Sequence, residues 1–138
     1  MTEEKKKLTE DDYANIVLDL SQNQEARIQA AFHLENAVKD ENIMKLCKGL
    51  MTDPSPIVRH EFAFSLGETA HSELAAKYLM KSCEEDKNVF VRHEAVLALA
   101  TLGKERFIPF IEKFVNDPEP EMAESAEIAL QRIKFTGH

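Results

Sequence analysis

The stretch IVRHEFAFSLGETA at residues 57–70 superimposes without a gap on FVRHEAVLALATLG at 90–103, 33 positions further on. Val58-Arg59-His60-Glu61 thereby falls on Val91-Arg92-His93-Glu94. Weaker copies flank this pair. ARIQAAFHLENAV at 26–38 aligns with Leu34 on Leu66, and EMAESAEIALQRI at 121–133 aligns with Leu130 on Leu99. Four copies of one unit predict a repeat architecture, in which each unit buries its apolar face only by stacking on its neighbours.

The units read as helix pairs. Apolar residues recur at three- and four-residue steps, as in Ile16 and Leu20, in Val58, Phe62 and Leu66, and in Val91, Ala95, Leu99 and Leu102. No segment alternates with period two, so strands are not expected. The five prolines fall at 54, 56, 109, 118 and 120, in stretches that read as helix boundaries. The pattern predicts an all-α fold with helices near 9–20 and 24–38, 40–51 and 56–69, 72–83 and 89–102, and 105–116 and 119–134. These pairs make repeats near 9–38, 40–69, 72–102 and 105–134 of one domain spanning 1–138. The expected architecture is an α-solenoid of about four short helical hairpins that resemble HEAT-like repeats, with second helices side by side at about 8–10 Å. Phe32, Phe62, Phe64, Phe107, Phe110 and Phe114 are spaced as core residues.

Composition narrows the function classes. At 138 residues and 43% apolar, the chain can bury a core without disulfides or structural metals. Seventeen Lys and Arg against 25 Asp and Glu give a formal charge of −8, a field that opposes binding to nucleic acid or to anionic membranes. Cys47 and Cys83 form no Cys-x-x-Cys pair and read as buried thiols of a reducing compartment. No segment approaches the roughly 20 apolar residues of a membrane span, and none follows the charged N-terminus, so a soluble cytoplasmic protein is expected. No Ser/His/Asp order, Gly-rich phosphate loop or Walker stretch is present.

The repeated His-Glu pair is the chemical feature. In a solenoid His60 and His93 occupy one register on adjacent helices, and two imidazoles leaning together meet one metal at about 2.1 Å each. Glu94 would complete a set of two histidines and a carboxylate, the ligand set of non-haem iron oxygenases, with Glu61 left to ligate, bridge or face a substrate. Manganese and zinc accept the same donors. The flanking units carry Ile28-Gln29 and Glu124-Ser125 at these positions, so the pair is confined to the two central repeats. Beside this stands the structural reading: repeats share ancestry, and a glutamate early in a helix suits the dipole. Arg59 and Arg92 read as structural, pairing with the acidic residue of the preceding turn, Asp53 or Asp86. His33 and His71 read as surface or capping groups, and His138 is terminal.

VRHEFAFSLGE, VRHEAVLALATLG and DPEPEMAESAEIALQRI together resemble the amino-terminal half of the deoxyhypusine hydroxylase family, clearest from Asp53 to Ile133. The repeats themselves resemble short HEAT-like repeats of the phycobilin-lyase type. The resemblance implies a HEAT-repeat di-iron monooxygenase that hydroxylates a lysine-derived side chain, deoxyhypusine, of the hypusine-bearing translation factor. It implies that His60, His93 and Glu94 are iron ligands and that Glu61 helps hold the substrate amine. In that family each half of the chain supplies two His-Glu pairs and the two irons lie between the halves. This chain contains one half, so the resemblance implies a homodimer sharing two Fe ions across a two-fold interface. The competing expectations are a non-catalytic HEAT-repeat scaffold that grips a protein or peptide on its concave face, and a lyase- or chaperone-like role for a cofactor such as a bilin.

Overall fold

The computed structural model describes residues 7–136. Within them the chain forms eight α-helices and no strand: α1 (Glu10–Ile16), α2 (Gln24–Leu34), α3 (Asp40–Thr52), α4 (Pro56–Gly67), α5 (Ser72–Glu85), α6 (Val89–Leu102), α7 (Ile108–Glu112) and α8 (Pro120–Thr136). The all-α expectation and its helical hairpins therefore hold. No helix among the described residues is long and apolar enough to cross a membrane.

Short polar residues start the helices. Thr9 and Asp12 form a reciprocal capping box at α1, and Asn23, Ser55 and Asn88 accept N-terminal amides of α2, α4 and α6. Lys39, before α3, has no capping side chain of its own. Glu10 serves instead from α1, accepting from the amides of Val38 at 2.8 Å and Lys39 at 3.2 Å, and from Asn42 Nδ2 at 2.6 Å.

Three elements are shorter than periodicity predicts, each for a local reason. Helix α1 stops at Ile16 because the Asp19 carboxylate captures the Ser21 amide and hydroxyl in an Asx turn. Helix α2 stops at Leu34, since the amides of Val38 and Lys39 are committed to Glu10. In the fourth pair Pro109 has no N–H to bond back into the preceding turn, so Glu105–Phe107 is a 3-10 turn and α7 is five residues long.

The helices form two layers. Helices α1, α3 and α5 pack successively in one, and α2, α4, α6 and α8 in the other, with α7 against α8. Between them runs one contiguous core that includes Leu34, Leu46, Phe62, Leu79, Leu99 and Ile133. Cys47 and Cys83 are fully buried in it, and burial pushes the Cys47 thiol up to about 12. Phe62, Phe107 and Phe114 are core residues as expected, but Phe32 and Phe64 are exposed and meet each other edge to face at 6.5 Å. They occupy one register of adjacent helices, on the outer side of the second layer. Helices α4 and α6 approach so closely that a Cβ on Gly67 would lie 3.0 Å from the Ala98 Cα.

An arginine ladder ties the repeats together with a shift from the expected pairing. Arg59 does not pair with the Asp53 side chain. Its guanidinium donates to both oxygens of Asp86 in the next repeat, at 2.9 and 3.2 Å, and to the Asp53 carbonyl at 2.8 Å. Arg92 likewise passes over Asp86 to reach Asp117 at 2.6 Å and the Cys83 carbonyl at 2.8 Å. Arg27 precedes them in the series, bound to Asp53 at 2.8 and 3.2 Å and to the Gln22 carbonyl at 2.6 Å. Each arginine therefore reaches one repeat forward, because a guanidinium has enough donors to serve a carboxylate fork and a backbone carbonyl together. The contact with Arg92 holds the Asp117 carboxyl below the usual carboxylate range.

Asp86 is 5% exposed and also accepts the Asn88 amide at 2.9 Å, so its removal strands Arg59 among partners that cannot replace it. We expect Asp86→Ala to lower unfolding free energy by about 3 kcal/mol in urea titration. Glu84→Ala, which breaks the half-exposed pair with Lys113, should cost less than about 1 kcal/mol in the same assay.

Candidate functional site

The capping residues Ser55 and Asn88 fix the first turns of α4 and α6 and thereby the height of the His-Glu pairs one turn later. Packing of α4 on α6 then brings His60 to Glu94, with Nε2 3.2 Å from Oε2. The other ring nitrogen, Nδ1, lies 3.2 Å from Oε1 of Glu61. His60, Glu61 and Glu94 are thus gathered, with side chains 33%, 32% and 15% exposed.

His93 is not part of this contact. Its Nδ1 meets the hydroxyl of Ser125 on α8. That hydroxyl donates its one proton to the Glu121 carbonyl at 2.6 Å, so it accepts from the imidazole and Nδ1 carries the proton. Both imidazoles reach one repeat forward, but through different ring nitrogens, Nε2 in His60 and Nδ1 in His93. His60 reaches forward to Glu94, and His93 reaches forward to Ser125, the residue that repeat alignment places at the Glu94 register.

Phe90 stands between the two histidines. It lines one cavity of ≈ 310 Å³ with Pro56, Ile57, His60 and Asn88, and a second of ≈ 140 Å³ with His93, Glu121, Glu124, Ser125 and Ile128. Ile57, Phe90 and Ile128 are 63%, 58% and 44% exposed, so the polar groups sit within an apolar surface. Ser125 and Phe90 have no chemical motif to announce them. The repeat alignment locates Ser125 only once forward contacts between repeats are known.

The donor chemistry suits a first-row metal ion, although among the described residues no three His, Cys, Asp or Glu side chains already converge as a ligand set. Two ligands at right angles on one ion, with bonds of about 2.1 Å, stand about 3.0 Å apart. The separation of His60 Nε2 and Glu94 Oε2 is 3.2 Å. Metal-binding histidines are oriented by an acceptor on the other ring nitrogen. Glu61 at His60 and Ser125 at His93 both supply such an acceptor at Nδ1, and the other ring nitrogen of His60 faces Glu94.

The other histidines belong to the scaffold. His33 stacks on Tyr13 with ring centroids 4.0 Å apart. His71 precedes α5 and bridges two repeats, with Nδ1 2.6 Å from Asp40 and Nε2 2.8 Å from the Ala37 carbonyl. His138 lies outside the described residues.

A family model described as HEAT repeats matches residues 43–131. The deoxyhypusine hydroxylase of Danio rerio is 34% identical over 110 residues, covering 79% of this chain and 35% of that protein. Those of Candida albicans and Schizosaccharomyces pombe are 30% and 34% identical, each over 79% of this chain and 34% of their own length. The structure of human deoxyhypusine hydroxylase in complex with glycerol superimposes with a TM-score of 0.82 at 30% identity, covering 92% of this chain and 44% of that one. The chain spans about a third of the length of the curated relatives it matches.

His60 is protonated more readily than a free imidazole, chiefly through its hydrogen bond to Glu94, against the opposing effect of burial. A raised folded-state value means that the stabilisation from this contact is complete below the ordinary histidine range. It is lost as pH rises through the folded value. In an NMR titration of the metal-free chain, His60 should titrate above the ordinary histidine midpoint, and Glu94→Gln should move it down. An unchanged midpoint would remove Glu94 as its partner.

Proposed function

Because the chain belongs to the HEAT-repeat family, whose stacked units make equivalent residues neighbours, we propose that its His-Glu face is one half of an iron-dependent hydroxylase centre. The substrate is the lysine-derived deoxyhypusine side chain of a translation factor in the cytoplasm. Two copies of the chain oppose these faces, and the pair shares two Fe ions. The observation that carries this reading is that both imidazoles are tied at Nδ1, by Glu61 and by Ser125, and that the other ring nitrogen of His60 faces Glu94. Likeness to deoxyhypusine hydroxylases along most of the chain supports it.

In this assignment His60, His93 and Glu94 would hold the metal, the histidines through an unprotonated Nε2. Ferrous iron, with dioxygen, two protons and two electrons from a reductant, would supply the oxidising power to place one oxygen atom in an unactivated C–H bond while the other leaves as water. The protein's residues do the rest. Glu61 orients His60 through Oε1, and its partly exposed carboxylate attracts the substrate ammonium. Ile57 and Phe90 line the apolar cavity beside His60, which suits methylene groups and keeps water from them. Self-association covers the exposed Ile57, Phe90 and Ile128, and it brings the two His-Glu pairs of a second copy opposite those of the first.

Purified without chelators, or reconstituted anaerobically with ferrous iron, the protein should carry about one iron per chain and sediment as a dimer. Incubated with deoxyhypusine-bearing factor, dioxygen and a reductant, it should add one oxygen atom to the factor, read by mass spectrometry. His60→Ala and Glu94→Ala should lose the metal. An iron-free monomer after reconstitution would sink the proposal and leave a scaffold.

Ser125→Ala tests the positioning of His93 separately. It should weaken ferrous binding by about 10- to 100-fold in a competition titration. Ser125→Thr, which keeps the hydroxyl, should restore it.

A further inference from the structure

The layer opposite the His-Glu face carries a feature that hydroxylase chemistry does not use. Met44, Lys45, Lys48 and Met51 of α3 and Tyr78 of α5 line a groove of ≈ 400 Å³. Lys77 and Lys81 extend its rim, with their Nζ atoms 5.6 and 5.4 Å from the centroid of the Tyr78 ring. The chain as a whole has a formal charge of −8, yet this face gathers four lysines. Among the described residues the lysines that pair with a carboxylate are Lys39 and Lys113. Lys45 bonds the Asn15 side chain at 3.1 Å and stands within Coulombic reach of Asp11 without forming an ion pair, and Lys48, Lys77 and Lys81 have no carboxylate partner.

We propose that this groove docks an acidic, amphipathic segment of a partner protein. The floor and the rim ask for different things of the occupant. Thioethers and an aromatic ring adapt to aliphatic anchors of varied shape, and Met44 is already 36% exposed to receive one. The ammonium groups around them select carboxylates flanking that anchor. An acidic helix with anchors one turn apart meets both demands. Nucleic acid meets the rim alone. It offers no aliphatic anchor for the methionines, and the protein's net negative field repels a polyphosphate at longer range. The groove lies in the α1/α3/α5 layer, so its occupancy is independent of the His60 site.

The test uses the full chain and a fluorescent synthetic peptide of about four helical turns, rich in Glu with two Leu one turn apart. Anisotropy at low salt should show saturable binding. Affinity should fall at least about tenfold with Leu→Ser in the peptide, with Lys48→Glu/Lys81→Glu in the protein, or on raising salt to 0.5 M. His60→Ala should bind as the wild type does, so loss of the hydroxylase reading would leave this one standing. Both lysines are exposed, and an unchanged circular dichroism melt would verify that the double variant folds. The proposal is overturned if the peptide does not bind, if the double variant binds it equally well, or if an oligothymidylate of matched charge binds more tightly.

Discussion

Everything on the His-Glu face depends on the forward reach of three arginines. Arg27, Arg59 and Arg92 each leave their own repeat and grip an aspartate of the next, Asp53, Asp86 and Asp117. A carboxylate held by two guanidinium nitrogens cannot slide along the helix axis, so the ladder fixes register as well as contact. Apolar stacking alone would be more permissive, because ridges of Leu and Ala tolerate small shifts between helices. With the register pinned, His60 meets the glutamate of the following repeat and His93 meets the serine.

The same forward step explains why two identical dipeptides have different surroundings. His60 is flanked by carboxylates on both sides, Glu61 and Glu94. His93 faces a hydroxyl already committed to the Glu121 carbonyl. Where the repeat alignment has Glu94 it has Ser125 one unit later, and the forward contact changes from an ion pair at Nε2 of His60 to a hydroxyl contact at Nδ1 of His93. The ladder itself ends at this repeat, where Ala123 occupies the register of Arg92. The fourth repeat therefore supports the third without copying its chemistry.

Repeat periodicity made the all-α solenoid legible, since a gapless match of fourteen residues, 57–70 on 90–103, leaves little freedom in register. It also brought His60, His93, Glu61 and Glu94 to notice. It did not reveal the direction in which a side chain crosses between repeats. That direction depends on the offset of stacked helices, a tertiary quantity, and so Arg59 was expected at Asp53 and is found at Asp86. Helix ends failed for a related reason. Glu10 caps α3 across 29 residues of chain, to Lys39, and no local pattern signals such a contact. Phe32 and Phe64 have core spacing yet lie exposed, because a helix packed on two sides has an apolar arc wider than its buried one.

The close approach of α4 and α6 sets the limit on what the His-Glu face can be. A side chain on Gly67 would press on the Ala98 backbone, so the small residue is what lets the two helices close at their C-terminal ends. At their N-terminal ends the helices are joined by Arg59 and Asp86. His60 and Glu94 lie within the frame made by these two constraints. Their 3.2 Å separation is therefore a property of the packed helices and not of two mobile surface side chains. A metal ion would need little rearrangement to take both atoms, because the scaffold has met the cost of ordering them before any ligand arrives.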